Sequence, residues 1–124
     1  MTKKKVYIAE GQVAVGPYSH AAEANGFIFV AGTGPVDGSN VEMKDVKKAT
    51  AMVLDNVRKV LKTAGSDLDR VVKVNVYLRD MADFSAMNEA YAPYFPKDPP
   101  ARTCVAVKQL PFDIPVEIEA IAVR

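Results

Sequence analysis

Apolar and polar residues alternate along six short stretches of this chain, and an alternation with period two predicts β-strands. Two longer segments instead repeat their apolar residues every three or four positions, which predicts amphipathic α-helices. The predicted strands cover residues 5–9, 21–24, 27–31, 71–78, 101–107 and 116–123, and the predicted helices cover 45–64 and 81–95. The predicted order of elements is therefore βββαβαββ.

Turn and capping residues support several of these boundaries. Asn25-Gly26, between two strand patterns, is typical of a two-residue β-hairpin. Asp45 is a suitable N-cap for the first helix, and Gly65 suits the position just beyond its C-terminus. Residues 37–40 are rich in turn formers, so we expect a loop there.

This order of elements predicts an α+β fold, with one six-stranded mixed sheet and both helices on one face, in a single domain over residues 1–124. Two helices cover one face of such a sheet but not the other. The strands at 27–31 and 116–123 nevertheless have apolar residues on both faces. Because monomers rarely expose so large an apolar patch, we expect a homo-oligomer in which another copy covers the helix-free face.

The last two predicted strands combine an apolar set with a charged set. The apolar sets suit the core and consist of Ala101, Thr103, Val105 and Val107 in one strand and Val116, Ile118, Ala120 and Ala122 in the other. The alternate positions hold Arg102 and Cys104 in the first strand and Glu117 and Glu119 in the second. We expect these four side chains on or beside the subunit interface. An arginine in such surroundings needs an anionic partner, either a protein carboxylate or a ligand.

Composition narrows the classes of partner. The net charge is +1, from 16 basic and 15 acidic residues, which argues against nucleic acid or a membrane surface. A single Cys excludes an internal disulfide framework and fits a reducing compartment, and one His with one Cys leaves no plausible metal site. The N-terminal segment lacks the apolar region of a signal peptide, and no run approaches the roughly 18 apolar residues of a membrane span. We therefore expect a cytoplasmic or matrix-like location.

Common catalytic motifs are missing from the sequence, including the P-loop, GxGxxG, HExxH, CxxC and GxSxG. A nucleophilic pair of Cys104 with His20 would need a third, orienting group, and none is apparent. Two interpretations of Arg102 remain open at this point. It forms a structural ion pair with a glutamate at a subunit interface, or its planar guanidinium binds a small carboxylate while Glu117 holds a water.

Five segments of the chain resemble one known family. They are GPYSHA at 16–21, VAGTGP at 30–35, VVKVNVYLRDMADFSAMNEAYAPYF at 71–95, PARTCV at 100–105 and VEIEAIAV at 116–123. In order and spacing they closely resemble the RidA/YjgF family of imine deaminases over nearly the whole chain. The resemblance implies a chorismate-mutase-like α+β sandwich that assembles as a homotrimer, with its sites in the clefts between subunits.

The resemblance also implies an activity. Members of this family hydrolyse reactive 2-imino acids or their enamine tautomers, such as 2-aminoacrylate, 2-iminopropanoate and 2-iminobutanoate. The products are a 2-keto acid and ammonia, and no cofactor is needed. Pyridoxal-phosphate enzymes such as threonine or serine dehydratase release these imines.

Site residues follow from the matching motif positions. Arg102 would bind the substrate carboxylate, and Cys104 would line the pocket with its backbone amide near the substrate. Glu117 would position the hydrolytic water, and Tyr18 would close the cleft. Asn88 matches a family asparagine near the site.

The segment around Gly32 both matches and departs from the family pattern. Gly32 lies in a strand-end turn where the backbone must approach the ligand. Many members have Ser-Gly-Gln or Ala-Gly-Gln where this chain has Ala31-Gly32-Thr33. These departures favour an alternative, a non-catalytic member that binds small carboxylates or serves as an interaction protein. A ribonuclease or translation-inhibitor role is disfavoured, since the chain is nearly neutral and lacks a basic face studded with aromatic residues.

Overall fold

The computed structural model describes residues 3–124 and confirms the predicted order of elements, with one small addition. The strands and helices are β1 Lys5–Tyr7, β2 Ala21–Ala24, β3 Phe27–Thr33, β4 Val36–Asp37, β5 Asn40–Val41, α1 Val46–Thr63, β6 Val71–Leu78, α2 Phe84–Tyr91, β7 Ala101–Ala106 and β8 Val116–Val123. The addition is the two-residue hairpin of β4 and β5, which replaces the loop expected at residues 37–40. The second helix is shorter than predicted, because a 3₁₀ turn flanks α2 at each end, Met81–Asp83 and Ala92–Tyr94.

Local residue chemistry explains the turns and helix ends. Asn25 and Gly26 have φ of 53° and 79°, the two positive values that a type I′ hairpin turn requires. The Asp45 side chain accepts a hydrogen bond from the backbone N–H of Lys48 and caps α1 as predicted. Gly65, with φ of 84°, ends the helix in the left-handed conformation that glycine adopts at low cost.

Six strands form one mixed sheet in the order β1-β2-β3-β8-β6-β7. The β6–β7 pair is parallel and the other pairs are antiparallel. Both helices pack on the same face of this sheet, as predicted. The core lies between that face and α1, and its largest fully buried side chains include Ile28, Leu54, Leu61, Leu78, Met87 and Ile118. Within the described residues, no helix is long and apolar enough to cross a membrane.

The prediction that Arg102 and Cys104 share a face with Glu117 and Glu119 is wrong. In the parallel pairing of β7 with β6, Arg102 lies beside Val74 and Cys104 beside Val76. Both valines are buried in the helix-covered core. Arg102 and Cys104 therefore face α2, whereas the small apolar set, Ala101, Thr103 and Val105, faces away from the helices.

The opposite face of the sheet has no helix over it and is partly apolar, as predicted. One row of paired residues runs across all six strands: Val6, Ala22, Phe29, Ile121, Lys73 and Ala101. Phe27 and Phe29 on this face are 45% and 48% exposed, which is unusual for aromatic side chains in the middle of a sheet. We refer to this helix-free side as the open face. It also carries Glu119, which accepts hydrogen bonds from Asn75 Nδ2, at 3.0 Å, and from the Tyr77 hydroxyl.

Candidate active site

A pocket of about 650 Å³ lies beside the end of β3 and the start of β8. Segments 11–20 and 111–114 form much of its wall, and most of its lining is apolar. Three of the predicted site residues, Tyr18, Gly32 and Glu117, line this pocket together. The chain therefore brings half of the predicted set to one place.

Hydrogen bonds from neighbouring elements hold the pocket walls. Asn56 of α1 is buried and donates from Nδ2 to the carbonyls of Gly34 and Val36, at 3.2 and 2.7 Å. Arg79, at the end of β6, donates to the carbonyls of Asp113 and Met43, at 2.7 and 3.1 Å. These bonds fix residues 34–36 and 111–114 of the wall relative to α1 and β6.

Glu117 provides the carboxylate of the pocket. Its side chain is half-buried, and within residues 3–124 it has no hydrogen-bond or ionic partner. Burial raises the pKa of Glu117 above its ordinary value of 4.5, and the nearby charge of Glu119 raises it further. A carboxylate with a raised pKa and no partner is a better proton acceptor than an ordinary surface glutamate.

Gly32 is needed because its backbone lies against Glu117. A Cβ atom added to Gly32 would lie 2.7 Å from Oε2 and 3.0 Å from Cδ of Glu117. The register between β3 and β8 shifts between Val30 and Thr33, and this irregularity brings the backbone of Gly32 over the carboxylate. Gly32 therefore lies close to Glu117 of the same chain, and its approach to a ligand stays a prediction.

We expect Gly32→Ala to lower activity without unfolding the protein. The added methyl group would displace the flexible end of Glu117, and a displacement of about 1 Å at a reacting group costs up to roughly 100-fold in rate. The measurement is kcat/KM together with thermal unfolding. In a Glu117→Gln background, the same change should have little further effect. Equal losses of activity in both backgrounds would contradict this explanation.

Arg102 contacts two aromatic rings and forms no ion pair within the described residues. Its guanidinium carbon is 4.8 Å from the ring centre of Tyr91 and 5.7 Å from that of Phe84, both on α2. Its Nη1 also contacts the Met87 sulfur at 3.8 Å. Within the described residues, no carboxylate lies within ion-pair distance of this cation. Ring contacts of this kind contribute about 0.5–2 kcal/mol and leave the hydrogen-bonding edges of the guanidinium free for another anion.

The six predicted site residues fall into two groups within one chain. Tyr18, Gly32 and Glu117 line the pocket, and Arg102, Cys104 and Asn88 belong to β7 and α2 and do not line it. Strand β6 separates the strands that carry Arg102 and Glu117, and the two side chains face opposite sides of the sheet. They therefore form no ion pair within the chain, and one copy of the chain does not assemble the predicted set.

A nucleophilic Cys–His pair does not form. Three strands separate β7, which carries Cys104, from β2, which follows His20. Burial is the main cause that raises the pKa of the Cys104 thiol, which opposes the thiolate form that a nucleophile needs.

Two features of the site were missed in the sequence. Phe84 and Tyr91 belong to the apolar face of the second predicted helix, which by itself indicates core residues, yet both contact Arg102. Their spacing along α2 places them on one face, but only the β6–β7 register shows that Arg102 points at that face. At the departures Ala31 and Thr33, the Thr33 hydroxyl donates to the Ala31 carbonyl at 2.8 Å.

Comparison with known proteins identifies the family. The family model described as endoribonuclease L-PSP matches residues 9–124. A RutC family protein of Pyrococcus horikoshii is 44% identical over 124 residues, which cover 98% of each chain. The chain belongs to the RidA/YjgF family.

Two further RidA/YjgF relatives have informative names. Reactive intermediate deaminase A, chloroplastic, of Arabidopsis thaliana is 42% identical, over 97% of this chain and 66% of its own length. The crystal structure of Escherichia coli TdcF with bound serine has a TM-score of 0.89 and 34% identity, over 98% of this chain and 99% of that one. The match in structure confirms the predicted fold.

Proposed function

We propose that this protein hydrolyses small 2-imino acids and their enamine tautomers to 2-keto acids and ammonia. The main observation in support is that two charged side chains, Arg102 and Glu117, have no ionic partner within the described residues. Arg102 is held by aromatic rings, and Glu117 is half-buried with a raised pKa beside an apolar pocket. The name of the Arabidopsis relative supports a deaminase, and the serine bound to the Escherichia coli relative supports a small amino-acid-like ligand.

We also propose that two subunits assemble each site within a homotrimer. Arg102 and Glu117 face opposite sides of one sheet, so both reach one small ligand only if different copies supply them. The open face, with Phe27 and Phe29 about half exposed, is the surface that a second copy would cover. In this arrangement, Arg102, Cys104 and Asn88 of one subunit complete the pocket that Tyr18, Gly32 and Glu117 form in the next.

The chemistry needs one anion site and one proton acceptor. Arg102 binds the substrate carboxylate through two parallel hydrogen bonds, which fixes the imine carbon beside Glu117. Glu117 takes one proton from a water as its oxygen bonds to C2 of the protonated imine, and the electron pair of the C=N bond moves to nitrogen. The product of this step is a neutral carbinolamine beside a protonated Glu117.

Glu117 then returns its proton to the amine nitrogen. The C–N bond breaks as the hydroxyl oxygen forms the C=O bond, and the hydroxyl proton goes to Glu117. Transfer of that proton to the released ammonia gives ammonium and restores the carboxylate. Water and imine are held together in a pocket with few polar groups, so proton transfer by a single carboxylate is sufficient.

We expect activity to fall as the pH drops through the pKa of Glu117, since only the ionised carboxylate accepts a proton. Glu119→Gln removes the nearby negative charge that contributes to this raised pKa. The acid limb of the kcat/KM profile should therefore move to lower pH, while the plateau changes little. A pH–rate profile of both proteins measures this, and an acid limb that does not move would contradict the assignment of Glu117.

A coupled assay tests the proposed function. Threonine dehydratase with threonine generates 2-iminobutanoate, and the release of 2-ketobutyrate is followed with and without the protein. The proposal predicts faster release at micromolar protein. If release is unchanged but 2-ketobutyrate binds, the alternative of a non-catalytic carboxylate-binding protein is correct instead.

A further inference from the structure

His20 lines the same pocket as Tyr18, Gly32 and Glu117, but the reaction described above gives it no task. It is 7% exposed and directly precedes β2. Its backbone N–H donates to the Tyr7 carbonyl at 3.0 Å, and its carbonyl accepts from Ala31 N–H at 2.9 Å. The main chain of His20 is thus fixed between the ends of β1 and β3, so the ring has a defined position in the pocket wall.

One hydrogen bond determines which ring nitrogen carries the proton. The backbone N–H of Ala9, itself buried, donates to Nδ1 of His20 at 2.9 Å. Because Nδ1 accepts a hydrogen bond, the proton of the neutral ring is on Nε2. Within the described residues, Nε2–H has no protein partner. The ring therefore presents a neutral donor to the pocket that contains Glu117.

From this arrangement we propose that His20 Nε2–H donates a hydrogen bond to the oxygen added at C2 of the substrate. This oxygen belongs to the attacking water, then to the hydroxyl of the carbinolamine, and finally to the carbonyl of the 2-keto acid. The inference rests on the proposed function and adds a further catalytic residue to it. No proton leaves His20 in any step, so the proton transfers described above are unchanged.

A neutral donor suits this position better than a cation. Water that gives a proton to Glu117 and a lone pair to C2 has a second lone pair left, and Nε2–H of His20 is a donor in the pocket wall that can bind it. A charged imidazolium beside Glu117 would stabilise the carboxylate and weaken it as a base. The neutral ring, whose Nδ1 accepts the hydrogen bond from Ala9 N–H, has no such effect.

Two substitutions separate the roles of the two ring nitrogens. The amide oxygen of asparagine is as many bonds from the backbone as Nδ1, so His20→Asn retains an acceptor for Ala9 N–H but has no donor at the position of Nε2. The amide nitrogen of glutamine is as far out as Nε2, so His20→Gln retains the pocket donor and leaves Ala9 N–H unpaired. A purely structural histidine tolerates the first change better, and a catalytic donor tolerates the second better.

The experiment measures kcat/KM with 2-iminobutanoate, its pH profile and the melting temperature for both variants. We expect His20→Asn to lower the plateau of kcat/KM about 10-fold, the cost of one hydrogen bond in the transition state, without moving the acid limb or the melting temperature much. His20→Gln should recover most of that activity at a lower melting temperature. Full activity in His20→Asn, or equal losses in both folded variants, would overturn the proposal.

A binding measurement separates this proposal from the proposed function. If the wild-type protein does not hydrolyse the imine, the deaminase assignment fails, and calorimetry with 2-ketobutyrate then tests His20 alone. Weaker binding by His20→Asn than by His20→Gln would support the donor to the keto oxygen. Equal binding by both variants, or no binding by the wild type, would overturn it.

Discussion

Replacing Arg102 by Ala should remove most of the activity and weaken the binding of 2-keto acids. A charged hydrogen bond to a bound carboxylate contributes about 1.5–3 kcal/mol, which corresponds to a loss of roughly 10- to 150-fold in affinity. Loss of the substrate carboxylate also displaces the imine carbon from Glu117, so kcat/KM should fall further than affinity does. The measurements are steady-state kinetics with 2-iminobutanoate and titration with 2-ketobutyrate.

Arg102→Lys should fail almost as completely, because a point charge does not reproduce the two parallel hydrogen bonds of the guanidinium. Arg58 provides a matched control. Its guanidinium carbon lies 5.2 Å from the ring centre of Tyr94, so it also stacks on a tyrosine, but it belongs to α1 and not to the site. Arg58→Lys should leave activity unchanged. If Arg102→Lys were as active as wild type, Arg102 would not be the carboxylate-binding group.

Replacing Glu117 by Gln should abolish proton transfer while the pocket keeps its shape. General-base assistance contributes about 10²- to 10⁴-fold, so kcat should fall by that amount and binding of 2-ketobutyrate should change much less. Glu119→Gln on the same strand is the matched control. It also replaces a glutamate by glutamine and removes one negative charge, but the Glu119 carboxylate is already hydrogen-bonded to Asn75 and Tyr77. An active Glu117→Gln protein would contradict the mechanism.

Glu117→Gln should also stabilise the protein at neutral pH. Folding raises the pKa of Glu117, so the folded state binds this proton more tightly than the unfolded state does. The free energy of unfolding therefore falls as the pH rises through these pKa values, and the ionised side chain destabilises the fold at pH 7. We expect a gain of about 0.5–2 kcal/mol, the usual size of such substitutions. Denaturant titrations should show the difference from wild type disappearing as the pH falls below 4.5.

Local sequence patterns predicted most of the fold because its elements follow local rules. The hairpin at Asn25-Gly26 and the ends of α1 at Asp45 and Gly65 depend on backbone and capping chemistry that a few residues determine. The faces of β8 were predicted correctly, because Val116, Ile118, Ala120 and Ala122 are all buried. The exposed apolar face followed from having only two helices for a six-stranded sheet.

The orientation of β7 was not predictable in the same way. The alternation of side chains along β7 places Arg102 and Cys104 on one face and Ala101 and Thr103 on the other, but it does not determine which face is turned towards the helices. That choice depends on pairing with β6 and on the rings of Phe84 and Tyr91, which give an arginine a favourable place on the covered face. The approach of Gly32 to Glu117 likewise depends on an irregular register between strands far apart in sequence.

Mixing two inactive variants tests most directly whether neighbouring subunits share one deaminase site. Arg102→Ala and Glu117→Gln proteins are each assayed alone, then unfolded, mixed in equal amounts, refolded together and assayed again. If Arg102 of one subunit and Glu117 of the next form each site, about one quarter of the sites contain both groups. Half of the subunits supply an intact Arg102, and half of their neighbours supply an intact Glu117. We therefore predict recovery of about one quarter of the wild-type 2-ketobutyrate release. A mixture as inactive as its two components would contradict the shared site.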